Sequence, residues 1–128
     1  MPRGQATISL IDLFSAESPA ATEFRRLLHN INGAYAAQVA RQRGETNPDL
    51  QGIVKQLRRV MITSALGSEG KSTVASFLAI SSARFKERRT LLVDADLRRP
   101  SIHQLFALER AGGLVEILSE GLAPRQAV

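Results

Sequence analysis

The chain has 128 residues, 44% hydrophobic and 23% charged, enough for one soluble domain with a modest core. It has no cysteine, which excludes disulfides and thiolate metal sites, and its two histidines, His29 and His103, stand too far apart in sequence to read as a metal pair. Seventeen Lys and Arg against twelve Asp and Glu give a net charge of +5, with arginines paired at Arg25–Arg26, Arg58–Arg59, Arg88–Arg89 and Arg98–Arg99; this suits solvated faces first and anionic partners second.

Residues 1–17 form a weakly patterned N-terminal segment. Its "TISLIDLF" reads as a short strand or a docking segment, too short for a signal peptide. Nowhere does an apolar run approach the roughly 20 residues of a membrane helix. Ser18–Pro19 is a helix start, because Ser caps orphan amides and Pro fits the first helical position. Phe24, Leu27, Leu28, Ile31, Tyr35 and Val39 follow at spacings of three and four, which predicts an amphipathic leading helix over 18–41, weakened at Asn32–Gly33. Residues 42–56, rich in charge and carrying Gly, Asn and Pro, read as a linker.

From Leu57 the pattern changes. "RRVMITSA" predicts a buried strand over about 58–63. Lys71–Lys86 predicts a helix with Val74, Phe77, Leu78 and Phe85 on one face and small Ala75, Ala79 and Ala83 beside them. "TLLVDAD" (90–96) predicts a second buried strand. Strand, helix and strand in this order make a βαβ unit, so the expected fold class is α/β, a parallel sheet with flanking helices. "PSIHQLFAL" (100–108) predicts a short helix, Gly112–Gly113 a break, and "LVEILSEG" another helical turn or two.

Ligands of parallel α/β sheets sit beyond the carboxyl ends of strands, and both chemically rich stretches lie there. The first is "TSALGSEGKST" (63–73). Gly67 and Gly70 let backbone amides turn toward a phosphate, with Ser68 and Glu69 between them, and the following helix adds its positive end. Lys71 is placed to reach phosphate oxygens, the Ser72 hydroxyl to ligate Mg²⁺, and Thr73 completes the pattern. Ala65 stands where the usual phosphate loop has glycine; it removes flexibility but no donor. The second is "LLVDADLRRP". Asp94 and Asp96 are placed to hold Mg²⁺ or to accept a proton from an attacking hydroxyl. A capping role competes strongly for Asp96 and less so for Asp94. Arg98 and Arg99 suit a phosphate, a neighbouring subunit or solvent. The only aromatics are five Phe and one Tyr, and they are not interleaved with the arginines, which argues against a nucleic-acid partner.

Together these residues resemble the bacterial tyrosine kinases that control capsular and exopolysaccharide synthesis. "ITSALGSEGKSTVASFLA" is similar to their phosphate-loop segment, which more often has Pro-Gly where Gly67–Ser68 stand. "LLVDADLRRPSIHQLF" resembles their second acidic motif, "GGLVEILSEG" the stretch after it, and "SPAATEFRRLLHNI" their leading helix. The resemblance covers about 18–31 and 57–121. It implies a P-loop fold, with 57–128 as the first part of a kinase domain, and ATP and Mg²⁺ as ligands. ATP·Mg²⁺ would be held by Lys71, Ser72 and Thr73, while Asp94 and Asp96 would serve the metal and the tyrosine hydroxyl. It further implies a transmembrane activator protein and a cytoplasmic place at the inner face of the membrane. It also implies self-association through the leading helix, although of that helix's Glu-x-x-Arg-x-x-Arg pattern, which falls on Thr22, Arg25 and Leu28, only Arg25 matches.

The family's third acidic motif has no counterpart before Val128, so the sequence reads as a fragment or a truncation completed by a partner, with little or no turnover expected of it alone. Tyr35 is the only tyrosine and reads as a packing residue. Three other readings remain open: a partition-type ATPase, which usually carries an extra lysine early in the loop; a small-molecule kinase of the adenylylsulfate type; and a non-catalytic regulatory module.

Overall fold

The structure is a computed structural model that describes Leu10, residues 18–46, Asp49, Ile53, residues 59–85 and residues 89–127. Most of the N-terminal segment, most of the linker, and the predicted ends at Arg58 and Lys86 lie outside the described residues. Four α-helices with described bounds follow in order: α1 (Pro19–Arg43), α2 (Lys71–Phe85), α3 (Ile102–Leu105) and α4 (Leu114–Ser119).

Helix α1 begins as its sequence dictates. The Ser18 hydroxyl accepts the Ala21 N–H at 3.1 Å, and Pro19 occupies the first turn, where its missing N–H costs nothing. The helix runs through Asn32–Gly33 without a break. It stops at Gly44, whose φ of +66° permits the left-handed turn; there the Gly44 N–H reaches the Arg41 carbonyl and the Glu45 N–H the Ala40 carbonyl, the paired bonds that commonly close a helix. Arg41 and Arg43 in the last turn suit the negative end of the dipole.

The buried stripe of α1 differs from the predicted one. Ala21, Asn32, Ala36 and Ala40 are buried, whereas Phe24, Leu28, Ile31, Tyr35 and Val39 are half-buried and Leu27 is exposed. Small side chains sit innermost because they let another backbone come close, and the large ones pack around them. Helix α2 packs on α1, and α3 packs on α2. One core cluster joins Leu10, Ala21 and Ile80, with Phe24, Phe77, Leu105 and Phe106 against it. The Phe24 and Phe77 rings stack with centroids 4.8 Å apart. A second cluster joins Ala36, Ala40 and Ile53, flanked by Tyr35 and Val39.

The expected parallel sheet is not there. Among the described residues no segment forms a strand, so the α/β fold class and the βαβ unit are corrected to an arrangement of packed helices. In the two segments predicted as buried strands, Met61 is 88% exposed, Leu91 66% and Val93 52%, while Ile62, Ser64, Leu92 and Asp94 are half-buried. Exposure thus alternates with a period of two over 61–64 and 91–94, as extended backbone does, but no ladder forms: residues 60–63 and 91–93 make no backbone hydrogen bond among the described residues. A strand is stable only with a hydrogen-bonded neighbour, and parallel strands need cover on both faces. Here α1 and α2 cover each other instead.

Candidate functional site

Residues 64–70 fold into a turn that feeds α2. The Ser64 hydroxyl donates to the Leu66 carbonyl at 2.8 Å, and the Leu66 N–H donates to Glu69 Oε2 at 3.1 Å. The Gly70 carbonyl accepts the Val74 N–H at 2.9 Å, which opens the helix. From Gly67 to Thr73 the main-chain N–H groups make no hydrogen bond among the described residues. A run of unbonded amides at a helix N-terminus is a concentration of positive partial charge that suits an anion.

Lys71 sharpens that field. It is half-buried and has no ion pair or hydrogen bond among the described residues, and the first turn of α2 holds no acidic residue. A cation at the positive end of a helix is unfavourable for helix stability; the Glu69 carboxylate, which the charge of Lys71 helps to hold ionised, offsets part of that, and a bound anion would offset more. Glu69 is the nearest acidic residue in sequence. Chiefly the Leu66 amide, with the Ser64 hydroxyl second, holds its carboxyl below the ordinary value of 4.5. Because the Ser64 hydroxyl's one proton is spent on the Leu66 carbonyl, the amide is the cause we assign. The sign follows: a depressed carboxylate contributes above its unfolded value and loses that contribution as pH falls through the folded one. A titration followed by NMR is expected to give Glu69 a midpoint below 4.5 and to release the Leu66 amide in the same step; a midpoint at or above 4.5 contradicts this.

The strained position of the loop is one that the missing glycine at Ala65 did not signal. Gly70 has φ +84°, and Ser68, with a side chain, has φ +61°. The left-handed region costs a residue with a Cβ roughly 1–2 kcal/mol, partly offset by the extra freedom glycine loses on folding. Ser68 stands where the resembling kinases usually have the Gly of Pro-Gly, which gives that preference a physical reason. Ser68→Gly is expected to raise stability by about 0.5–1 kcal/mol in a urea melt; a loss of stability would contradict the strain.

Asp94 does not end a strand; it organises a turn. Its Oδ2 accepts the N–H groups of Ser101 at 2.8 Å and Ile102 at 3.0 Å, and its Oδ1 accepts that of Asp96 at 3.1 Å. Asp96 Oδ1 in turn accepts the Arg99 N–H at 3.0 Å. Partial burial raises the Asp94 carboxyl, but the amides of Ile102, Ser101 and Asp96, helped by the nearby charge of His103, outweigh it, and the net shift is downward. Capping therefore claims Asp94 more firmly than its sequence position suggests. Arg98 and Arg99 are exposed, and neither has an ion pair among the described residues.

The sequence-predicted residues thus fall into two groups. Gly67, Ser68, Glu69, Gly70, Lys71, Ser72 and Thr73 lie together at the start of α2, while Asp94 and Asp96 lie in the turn before α3. No hydrogen bond or ion pair joins the two groups among the described residues. No cluster of three His, Cys, Asp or Glu able to hold a metal occurs there either. Mg²⁺ bound with phosphates needs only one or two protein oxygens and keeps waters. The Ser72 hydroxyl, without a hydrogen bond among the described residues, is a hard donor of that kind, so the residues fit the ion. A groove of about 510 Å³ lies elsewhere, along α1, lined by Ala34, Ala37, Gln38, Arg41 and Gln42; none of these described lining residues carries a carboxylate or a nucleophile. No pattern in the sequence marks Ser76 and Ser81, both fully buried on α2 with hydroxyls that have no partner among the described residues.

The chain is 43% identical over 83 residues to the tyrosine-protein kinase YwqD of Bacillus subtilis, covering 65% of this chain and 35% of that protein. It is 47% identical over 62 residues to the succinoglycan biosynthesis transport protein ExoP of Rhizobium meliloti, covering 48% of this chain and 8% of that one. It is 42% identical over 60 residues to the tyrosine-protein kinase etk of Escherichia coli strain K12, covering 47% of this chain and 8% of the kinase. The matched stretch is therefore about a third of the length of the first relative and under a tenth of the other two. No family model matches the chain, and no solved structure matches it significantly. The resemblance to bacterial tyrosine kinases read from the motifs is borne out, over a part of their length.

Proposed function

We propose that the chain holds ATP·Mg²⁺ as part of a bacterial tyrosine kinase of polysaccharide biosynthesis. The observation that carries this reading is the run of amides from Gly67 to Thr73 that make no hydrogen bond among the described residues, beside a Lys71 without an ion pair there, in a chain with relatives named as tyrosine-protein kinases and one named for succinoglycan biosynthesis transport. The amides and the positive end of α2 take up phosphate oxygens, and Lys71 adds a full charge. The Ser72 hydroxyl would be the protein oxygen that holds Mg²⁺, and the ion would supply charge neutralisation to the transferring group.

The reaction is in-line. The bond between the bridging oxygen and the γ-phosphorus breaks, ADP leaves with the electron pair, and a tyrosine oxygen bonds to phosphorus. The tyrosine hydroxyl, with a reference pKa near 10, gives its proton to a carboxylate. Asp96 is the one open to it, since its Oδ2 makes no hydrogen bond among the described residues. A transmembrane activator and a cytoplasmic place beside the membrane belong to the same reading; among the described residues no helix is long and apolar enough to cross a membrane. Self-association through α1 has weaker support, because Thr22 and Leu28 replace two of the three charged positions and Arg25 Nη2 donates to Thr22 Oγ1 at 3.2 Å.

The test is made in the producing cell. Lys71→Ala at the native locus is expected to remove the phosphotyrosine that depends on this protein and to lower exported polysaccharide. Unchanged phosphotyrosine and polymer would overturn the reading.

A further inference from the structure

We propose that Asp94 is a positioning residue: its carboxylate staples the turn 95–102 to present Asp96, Arg98 and Arg99, and it does not itself hold the metal. This rests on the nucleotide reading for what the turn meets, but not for the staple. Three main-chain amides, those of Asp96, Ser101 and Ile102, end on the two oxygens of Asp94 at 2.8–3.1 Å. A carboxylate so engaged offers a cation little unless the amides let go, and two of those amides lead into α3, which packs on α2. Releasing them would loosen the segment that carries Asp96 and the two arginines.

Asp96 differs from Asp94 in the respects that matter to a ligand. It is exposed, it accepts one amide through Oδ1, and its Oδ2 makes no bond among the described residues. Arg98 and Arg99 lie exposed on the same turn with no ion pair among the described residues, between the Asp96 bond on one side and the Ser101 bond on the other. One side chain thus sets the turn's shape while its neighbours remain available. Asparagine at position 94 keeps one acceptor oxygen, and alanine keeps none, so the two variants separate degrees of stapling.

The test compares wild type, Asp94→Asn, Asp94→Ala and Ser72→Ala in the full chain. Amide exchange is read first without nucleotide. Asp94→Ala is expected to speed exchange at Asp96, Ser101 and Ile102 by roughly tenfold or more, the loss of one to two net hydrogen bonds. Asp94→Asn is expected to recover part of it, with the α2 amides unchanged in both. ATP binding is then titrated against Mg²⁺. Asp94→Ala should weaken binding without shifting the Mg²⁺ concentration needed, whereas Ser72→Ala should shift it. Unchanged exchange at Ser101 and Ile102, or a shifted Mg²⁺ requirement with the turn intact in Asp94→Asn, overturns the proposal. Loss of protection throughout α1 and α2 also overturns it, in favour of a general folding role. If the wild type binds no ATP, the nucleotide reading fails, and the exchange arm still decides the staple.

Discussion

Lys71→Ala is expected to weaken ATP binding by roughly 10- to 150-fold, the equivalent of losing a hydrogen bond to a charged group at 1.5–3 kcal/mol. The chain should remain folded, because Lys71 has no ion pair or hydrogen bond among the described residues, and removing a cation from the positive end of α2 helps the helix by a few tenths of a kcal/mol. A structural lysine would behave in the opposite way, with stability falling and affinity following. Calorimetric titration with ATP, paired with a thermal melt of the same sample, separates the two. Affinity unchanged within twofold, or a melt well below wild type, would contradict the assigned role.

Ile80→Ala is expected to cost about 2–5 kcal/mol of stability. Ile80 is buried at the junction where Leu10 and Ala21 meet it and where Phe24, Phe77, Leu105 and Phe106 pack. Truncation leaves a cavity that Phe24, Phe77 and Phe106, packed around the cluster, cannot all close. In a domain whose whole stability is of order 5–15 kcal/mol, this is a large fraction, and the midpoint of urea unfolding should fall accordingly. A cost under about 1 kcal/mol would mean that the α1–α2 contact is not the core.

What the sequence discloses about this chain is what is encoded locally. Ser18–Pro19 starts α1, and Lys71 opens α2 directly after Gly70. Gly112–Gly113 separates α3 from α4; the Gly113 N–H donates to Glu116 Oε2 at 2.7 Å. Each of these signals acts within three or four residues. The strands fail for the complementary reason. "RRVMITSA" and "TLLVDAD" carry the residues of buried strands, but a strand also needs a partner, and a run of Val, Met, Ile and Leu does not encode where the partner lies. The stripe on α1 was misplaced because spacing marks large apolar side chains, whereas close helix packing selects Ala21, Ala36 and Ala40.

The site divides in the same way. The placement of Gly70 and Lys71 at the start of α2 is legible because it depends on the chain immediately around them. The role of Asp94 depends on amides seven and eight residues later, beyond the reach of a short motif. Ser68 hides its strain because serine carries no conformational label; only the backbone angle reveals that this position asks for glycine.

The proposed role requires that the amides from Gly67 to Thr73, with Lys71, take up a polyphosphate. The direct measurement is a two-dimensional NMR titration of the labelled chain with ATP and Mg²⁺. It should give saturable shifts largest at the amides of Gly67, Ser68, Glu69, Gly70, Lys71, Ser72 and Thr73, reproduced by inorganic triphosphate and absent with adenosine. No shift in that stretch at millimolar ATP, or shifts centred on the α1 groove instead, would contradict it.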